Sequence, residues 1–92
     1  MNDAKQFKKL EKQMKSLANY RRLLIIAFIK KQNKVSVGDI AEELKISIQS
    51  TSRHLKILEN AEILSSEQKG LLVYYFLLKS ESVFISQFIS AL

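Results

Sequence analysis

The chain has 92 residues, enough for one folded domain, and its apolar content of 47% is that of a globular protein. It has no cysteine and one histidine, which excludes disulfide frameworks, thiolate metal sites and histidine-rich metal clusters. The formal net charge of +6 favours a polyanionic partner, and nucleic acid is the commonest.

Sequence signals for catalysis and for membrane insertion are missing. There is no glycine-rich phosphate loop, no nucleophile–base set and no pair of acids in a recognisable context, so we predict that the protein is not an enzyme and uses no cofactor. The longest apolar run, Leu23 to Ile29, is far shorter than the roughly 20 residues that cross a bilayer. It follows Arg21 and Arg22, as the apolar part of a secretory signal peptide follows basic residues, but the small-residue cleavage site of a signal peptide does not come after it. We therefore expect a cytoplasmic protein.

The positive charge is concentrated at the start of the chain. Residues 1–34 hold ten Lys and Arg against two acids, whereas residues 35–92 hold five against seven. If residues 35–92 bind nucleic acid, then either their few cations lie at the points of contact, or residues 1–34 supply much of the positive electrostatic field that attracts the nucleic acid.

The first predicted helix spans residues 3 to about 16, with Asp3 as N-cap and Gln6 at the capping-box position. Its two faces differ sharply. One face carries Lys5, Lys8, Lys9, Lys12 and Lys15, and the other carries Phe7, Leu10, Met14 and Leu17. The lysine face is either a solvated surface or a phosphate contact. A helix lying on a membrane is a third interpretation, which we do not adopt because the apolar segments that follow need a partner within the protein.

Two further helices follow. Asn19 is predicted to cap a helix from Tyr20 to about Gln32, and this helix is apolar nearly all round, as a central buried helix is. The Ser-x-x-Asp spacing of Ser36 and Asp39 then predicts a capping box that opens a short amphipathic helix.

The stretch from Ser47 to Asn60 carries the strongest functional signal. As a helix capped by Ser47, it places Thr51, Leu55 and Leu58 inward and leaves an acid-free polar face outward. Such amides, hydroxyls and cations reach base edges and phosphates. The predicted DNA-contacting residues of this helix are Ser47, Gln49, Ser50, Ser52, Arg53 and Lys56. Lys45 in the preceding turn is assigned to phosphate. His54 lies at the edge of the inward stripe, where a structural role is favoured over base contact.

The period then changes from helix to strand. Ile63 to Gln68 and Leu71 to Leu78 are predicted strands, joined at Lys69-Gly70, where Gly70 supplies the positive φ of a tight hairpin turn. A hairpin behind a helix-turn-helix is a winged helix. The predicted fold is therefore mainly α with a small β-hairpin, with about five helices plus a two-stranded wing. The wing residues Gln68 and Lys69 are candidates for DNA contact, although any exposed hairpin tip tends to be polar.

A last helix is predicted from Ser80 to Leu92, with two apolar stripes that exceed what one small core can cover. The chain is thus interpreted as a single domain, 1–92, whose terminal helices (about 3–16 and 80–92) form a homodimer interface. Packing of these stripes back onto their own domain is the alternative. The predicted interface residues are Phe7, Leu10, Met14, Phe84, Phe88 and Leu92.

Four segments between Leu17 and Leu77 resemble the ArsR/SmtB-type winged helix-turn-helix repressors. Residues 17–23 (LANYRRL) look like the family's opening L-A-D-P-T-R-L, and residues 36–41 (SVGDIA) stand where metal-sensing members have C-V-C-D-L-A. Residues 50–58 (STSRHLKIL) are close to S-T-V-S-R-H-L-K-V-L with one residue displaced, and residues 69–75 (KGLLVYY) are similar to the wing R-E-G-R-x-V-Y-Y. The resemblance implies a homodimer that binds double-stranded DNA at an operator with dyad symmetry and releases it on a cue.

The departures from the family pattern are informative. Ser36 and Gly38 replace the two thiolates and the last helix carries no His, so neither of the family's usual metal sites is expected. Tyr20 replaces a Pro, Glu62 replaces a Gly, and Ile48 stands where a polar residue is common. The sequence therefore predicts a DNA-binding regulator, more specifically a repressor, that is not a thiolate metal sensor and whose effector is unidentified. The alternative is a winged-helix module for protein interaction, which the acidic balance of residues 35–92 favours.

Overall fold

The computed structural model describes residues 3–92, which form five helices and a three-stranded sheet. In chain order the elements are α1 (Asp3–Leu17), α2 (Tyr20–Gln32), β1 (Lys34–Ser36), α3 (Val37–Leu44), α4 (Ile48–Asn60), β2 (Leu64–Lys69), β3 (Leu72–Leu77) and α5 (Val83–Ser90). The predicted winged helix-turn-helix fold is confirmed, with one strand more than the sequence predicted.

The predicted caps decide where the middle helices begin. The side-chain oxygens of Asn19, Ser36 and Ser47 each accept a hydrogen bond from the backbone N–H three residues on, at 3.1, 3.2 and 3.0 Å. The last helix starts later than predicted because Ser82 is its cap. Asp3 is itself the first helical residue of α1, so its assignment as N-cap was wrong.

The sheet has the order β1-β3-β2 with both pairings antiparallel. The hairpin of β2 and β3 is the predicted wing, but its turn is Gly70-Leu71, since Lys69 is still paired with Leu72. Gly70 has a φ of +63°, as the turn requires. The unpredicted strand β1 is three residues long and runs straight into the α3 cap, so it is too short to show an alternating pattern.

The core is built around α2, as predicted. Ile25, Ile26 and Ile29 are completely buried against residues from α3 and α4, and Leu55 and Leu58 are the α4 residues that meet them. Burying one such side chain contributes roughly 1.5–3 kcal/mol. The inward stripe predicted for α4 is thus confirmed.

The buried face of α1 is partly polar, which was not predicted from the sequence, and the residues assigned to the dimer interface lie largely outside it. Phe7 and Met14 are 67% and 46% exposed, whereas Gln13 and Ser16 are buried beside Leu17. The Ser16 hydroxyl donates to the Gln13 carbonyl at 2.7 Å, which satisfies it inside the helix. The helix is therefore rotated so that much of its apolar surface faces away from its own domain.

A Schellman motif ends α4. The N–H of Ile63 donates to the carbonyl of Leu58, and the N–H of Glu62 donates to the carbonyl of Glu59, both at 3.0 Å. This geometry puts Glu62 at a φ of +61°, in the left-handed region that favours glycine.

We expect Glu62→Gly to raise the free energy of unfolding by roughly 0.5–1 kcal/mol, because the left-handed penalty of a side chain exceeds the entropy cost of glycine. Urea denaturation at fixed protein concentration measures the change. Glu62→Ala is the matched control: it also removes the exposed 3.6 Å ion pair with Lys9 but keeps the backbone strain, so it should leave stability nearly unchanged. A gain in the alanine variant equal to that in the glycine variant contradicts the backbone explanation.

Candidate nucleic-acid interface

The α3–α4 pair forms a tight helix-turn-helix. Lys45 ends α3 at a φ of +56°, and the N–H of Ile46 donates back to the carbonyl of Ala41 at 3.2 Å. The cap of α4, Ser47, follows at once, and the Thr51 hydroxyl donates to the Ser47 carbonyl at 2.9 Å. Three residues, of which the last is the cap Ser47, thus separate the two helices, and this short turn fixes the direction in which α4 projects.

The outward face of α4 brings most of the predicted readers together. Gln49, Arg53 and Lys56 are exposed, and Ser50 and Ser52 are half-buried at its margin. Within residues 3–92 Arg53 forms no ion pair, whereas Lys56 Nζ lies 3.6 Å from a Glu59 carboxylate oxygen. Arg53 is therefore the cation on this face whose guanidinium is most available to an incoming base edge or phosphate.

The predicted wing residues, Gln68 and Lys69, are exposed, but their side chains already contact other residues of the wing. Lys69 Nζ lies 3.6 Å from Glu67 Oε1, and the side-chain amide of Gln68 donates to the carbonyl of Gly70 at 3.2 Å. Lys34 donates to the same Glu67 carboxylate at 2.6 Å, and this hydrogen bond lowers the pKa of Glu67. Glu67 is therefore ionised at neutral pH and offsets the positive charge of the wing. The turn residue Leu71 is 98% exposed.

The predicted interface residues fall into two groups. Phe7, Met14, Phe84, Phe88 and Leu92 are all exposed, and Leu10 is partly buried against the core. On α5 the two stripes separate as the sequence suggested, because Ile85 and Ile89 pack inward. Phe84 and Phe88, on the other stripe, are 57% and 39% exposed.

The family's cysteine positions have other roles in this chain. The Ser36 hydroxyl is occupied as the cap of α3, and Gly38 has no side chain to offer. In the described part of the chain, no group of three or more His, Cys, Asp or Glu residues is placed to hold a metal ion. None of the helices within residues 3–92 has the length and apolar content to span a membrane.

Two side-chain contacts to α4 were not predicted. Arg22 Nη1 lies 3.2 Å from His54 Nδ1, and the Ser66 hydroxyl donates to Glu59 Oε2 at 2.8 Å. The first joins α4 to the start of α2, and the second joins it to β2. Each joins residues on different elements, so periodicity and local motifs held no signal for either.

Comparison with known proteins places these features in a family. The family described as "Bacterial regulatory protein, arsR family" matches residues 19–66. The transcriptional repressor SdpR of Bacillus subtilis is 40% identical over 63 residues, which are 68% of this chain and 69% of that protein. Matches to cadmium resistance regulators of Listeria innocua and Lactococcus lactis span 53% of those proteins' lengths.

Solved structures share the fold over almost the whole chain. HlyU from Vibrio cholerae is 28% identical with a TM-score of 0.80, and the match covers 95% of this chain and 90% of that one. The homodimeric winged helix-turn-helix DNA-binding domain of Mb0332 from Mycobacterium bovis has a TM-score of 0.83 at 21% identity, covering 98% and 80%. By sequence match and by fold, this chain belongs to the ArsR family of bacterial regulatory proteins.

Proposed function

We propose that the chain is a homodimeric transcriptional repressor that binds an inverted-repeat operator through its two copies of α4. The observation that carries the proposal is the outward face of α4, where Gln49, Arg53 and Lys56 are exposed together and the one acid of the helix, Glu59, is half-buried. Arg and Gln are the usual readers of guanine and adenine edges in the major groove. The repressor role is supported by the likeness to SdpR, which is a transcriptional repressor.

The domain leaves apolar surface on its terminal helices uncovered, and this surface supports dimerisation. Phe84 and Phe88 are 57% and 39% exposed on α5, and Phe7 and Met14 are exposed on α1. Several large apolar side chains left exposed on a small domain are typical of an interaction surface. A two-fold dimer through the terminal helices would cover them and hold two α4 helices for successive turns of DNA.

The phosphate contacts of this proposal come from the turn and the helix start. Lys45 is exposed in the turn, and Ser47 retains its hydroxyl proton for donation because its oxygen is the acceptor of the cap. The wing contributes a phosphate contact through Lys69, and the nearby carboxylate of Glu67 partly offsets the positive charge of that lysine. The lysines of α1 add to the field that attracts DNA.

Selection from a random DNA library followed by fluorescence anisotropy at several salt concentrations tests the proposal. We expect an enriched inverted repeat with half-sites about 10 bp apart, and a steep fall of affinity with salt as phosphate counterions are released. Recovery of no common sequence, with weak and salt-insensitive binding, would instead favour a protein-interaction module. The excess of acids in residues 35–92 supports that second candidate.

The Arg53→Ala variant tests the assigned reader. We expect it to weaken operator binding by about 1–3 kcal/mol and to relax the base preference at one position of each half-site. Binding to random DNA should fall much less, because phosphate contacts supply it. A variant that still discriminates operator from random DNA as wild type does shows that Arg53 is not a base reader.

A further inference from the structure

Arg22 makes polar contacts with residues of α1 and α4 and with the cap of its own helix, α2. Its backbone N–H donates to the Asn19 cap at the start of α2, and its Nε donates to the carbonyl of Ser16 near the end of α1 at 2.6 Å. Its Nη1 reaches His54 Nδ1 on α4 at 3.2 Å. One side chain therefore spans from α1 to the helix proposed to read DNA.

The chemistry of the contact fixes the state of His54. A guanidinium has only N–H donors, so Nδ1 of His54 is the acceptor, and the imidazole is neutral with its proton on Nε2. Burial, and then the positive charges of Arg22, Arg21 and Arg53, lower the pKa of His54 from its ordinary value of 6.5. The groove between α1 and α4, where Arg22 lies, is also lined by Glu11, Lys12 and Lys15. His54 is thus neutral at pH 7 and available as an acceptor.

We propose that Arg22 is a positioning residue that fixes α4 relative to α1 through His54, and thereby sets the half-site spacing that the dimer accepts. The inference rests on the proposed function, in which α1 belongs to the dimer interface and α4 reads the operator. If α1 of each protomer is held at the two-fold axis, the tilt of α4 against α1 determines the distance between the two reading helices. Side chains locked by hydrogen bonds to a neighbouring element supply such precision.

Protonation of His54 breaks this arrangement. A proton on Nδ1 turns the acceptor into a donor and places a second positive charge against the guanidinium of Arg22. Because the pKa of His54 is lower in the folded protein than in the unfolded chain, the unfolded chain binds more protons as the pH falls below 6.5. Stability is therefore lost over that range, and the Arg22 contact is lost once the pH passes the folded pKa.

The test measures spacing selectivity on the selected operator and on versions with one base pair added or removed between the half-sites. For wild type at pH 7 we expect each change to weaken binding roughly tenfold, the scale of a single mismatch. Arg22→Lys keeps the charge but cannot make both side-chain contacts. In this variant the affinity for the selected operator should exceed that for the altered spacings by only about threefold or less, while each half-site is still bound specifically. Arg21→Lys is the control, since Arg21 is exposed and lies over the Tyr20 ring.

A second variant, His54→Asn, tests whether the effect comes from the hydrogen bond to Arg22 and not from a general change of structure. In His54→Asn the Oδ1 atom stands near the position of Nδ1, so it keeps an acceptor for Arg22 but does not titrate. It should keep wild-type selectivity at pH 7 and at every lower pH at which the protein is folded, whereas wild type should lose selectivity as the pH falls through the lowered pKa of His54.

The outcomes are distinguishable. If wild type binds no inverted repeat, the proposed function fails and this inference fails with it. If wild type binds the repeat and Arg22→Lys keeps the same spacing selectivity, the inference alone is overturned. Equal pH dependence in wild type and His54→Asn also overturns it.

Discussion

Leu55→Ala is expected to lower the free energy of unfolding by about 2–5 kcal/mol, the largest stability effect of any change considered for this chain. The Leu55 side chain is completely buried in the core at the middle of α4. Its truncation removes apolar contact and leaves a cavity that the surrounding isoleucines cannot fill. A domain of this size is stable by only about 5–15 kcal/mol, so much of that stability is at stake.

Urea denaturation followed by circular dichroism measures this loss, at one protein concentration because a dimer gains stability with concentration. Ile48→Ala is the matched control, because Ile48 is an aliphatic residue of the same helix that is 56% exposed. Its stability should change by no more than about 0.5 kcal/mol. Equal losses in the two variants would show that the face of α4 has been assigned incorrectly.

The second large effect is expected from Phe84→Glu. A carboxylate in the centre of the proposed interface would be desolvated against apolar surface, so the variant should be monomeric. Each monomer then binds a single half-site, and the affinity for the full operator should fall roughly 100-fold or more. Sedimentation equilibrium and anisotropy on the full operator measure the two effects.

Ser86→Glu adds the same charge to an exposed position on another side of α5, and it should leave both assembly and binding close to wild type. Circular dichroism establishes that both variants are folded. A Phe84→Glu protein that remains dimeric and binds the operator normally shows that the dimer forms through another surface.

Local rules predicted most of the helical architecture. The caps at Asn19, Ser36 and Ser47 are decided within three or four residues, and the inward stripe of α4 follows from helical period alone. The wing was visible because Gly70 stands between two β-branched and aromatic stretches.

The features that were missed depend on partners far away in the chain. Strand β1 exists because β3 offers it a free edge, and the orientation of α1 depends on which of its faces α2 and α4 accept. The same holds for the site: the exposure of Arg53 follows from its own helix, but the hydrogen bond of Lys34 to Glu67 and the contact of Arg22 with His54 required the tertiary structure.

The pairing of β1 with β3 determines which parts of the chain remain connected when the protein unfolds locally. This pairing joins residues 34–36 to residues 74–76, and the segment enclosed between them contains α3, α4 and β2. The helix α5 lies outside that closed segment. Fraying of α5 uncovers the core around Ile85 and Ile89 but breaks no hydrogen bond of the β1–β3 ladder, so we expect the amide protons of the ladder to exchange later than those of α5. A protomer separated from its partner would keep the architecture with which it meets DNA.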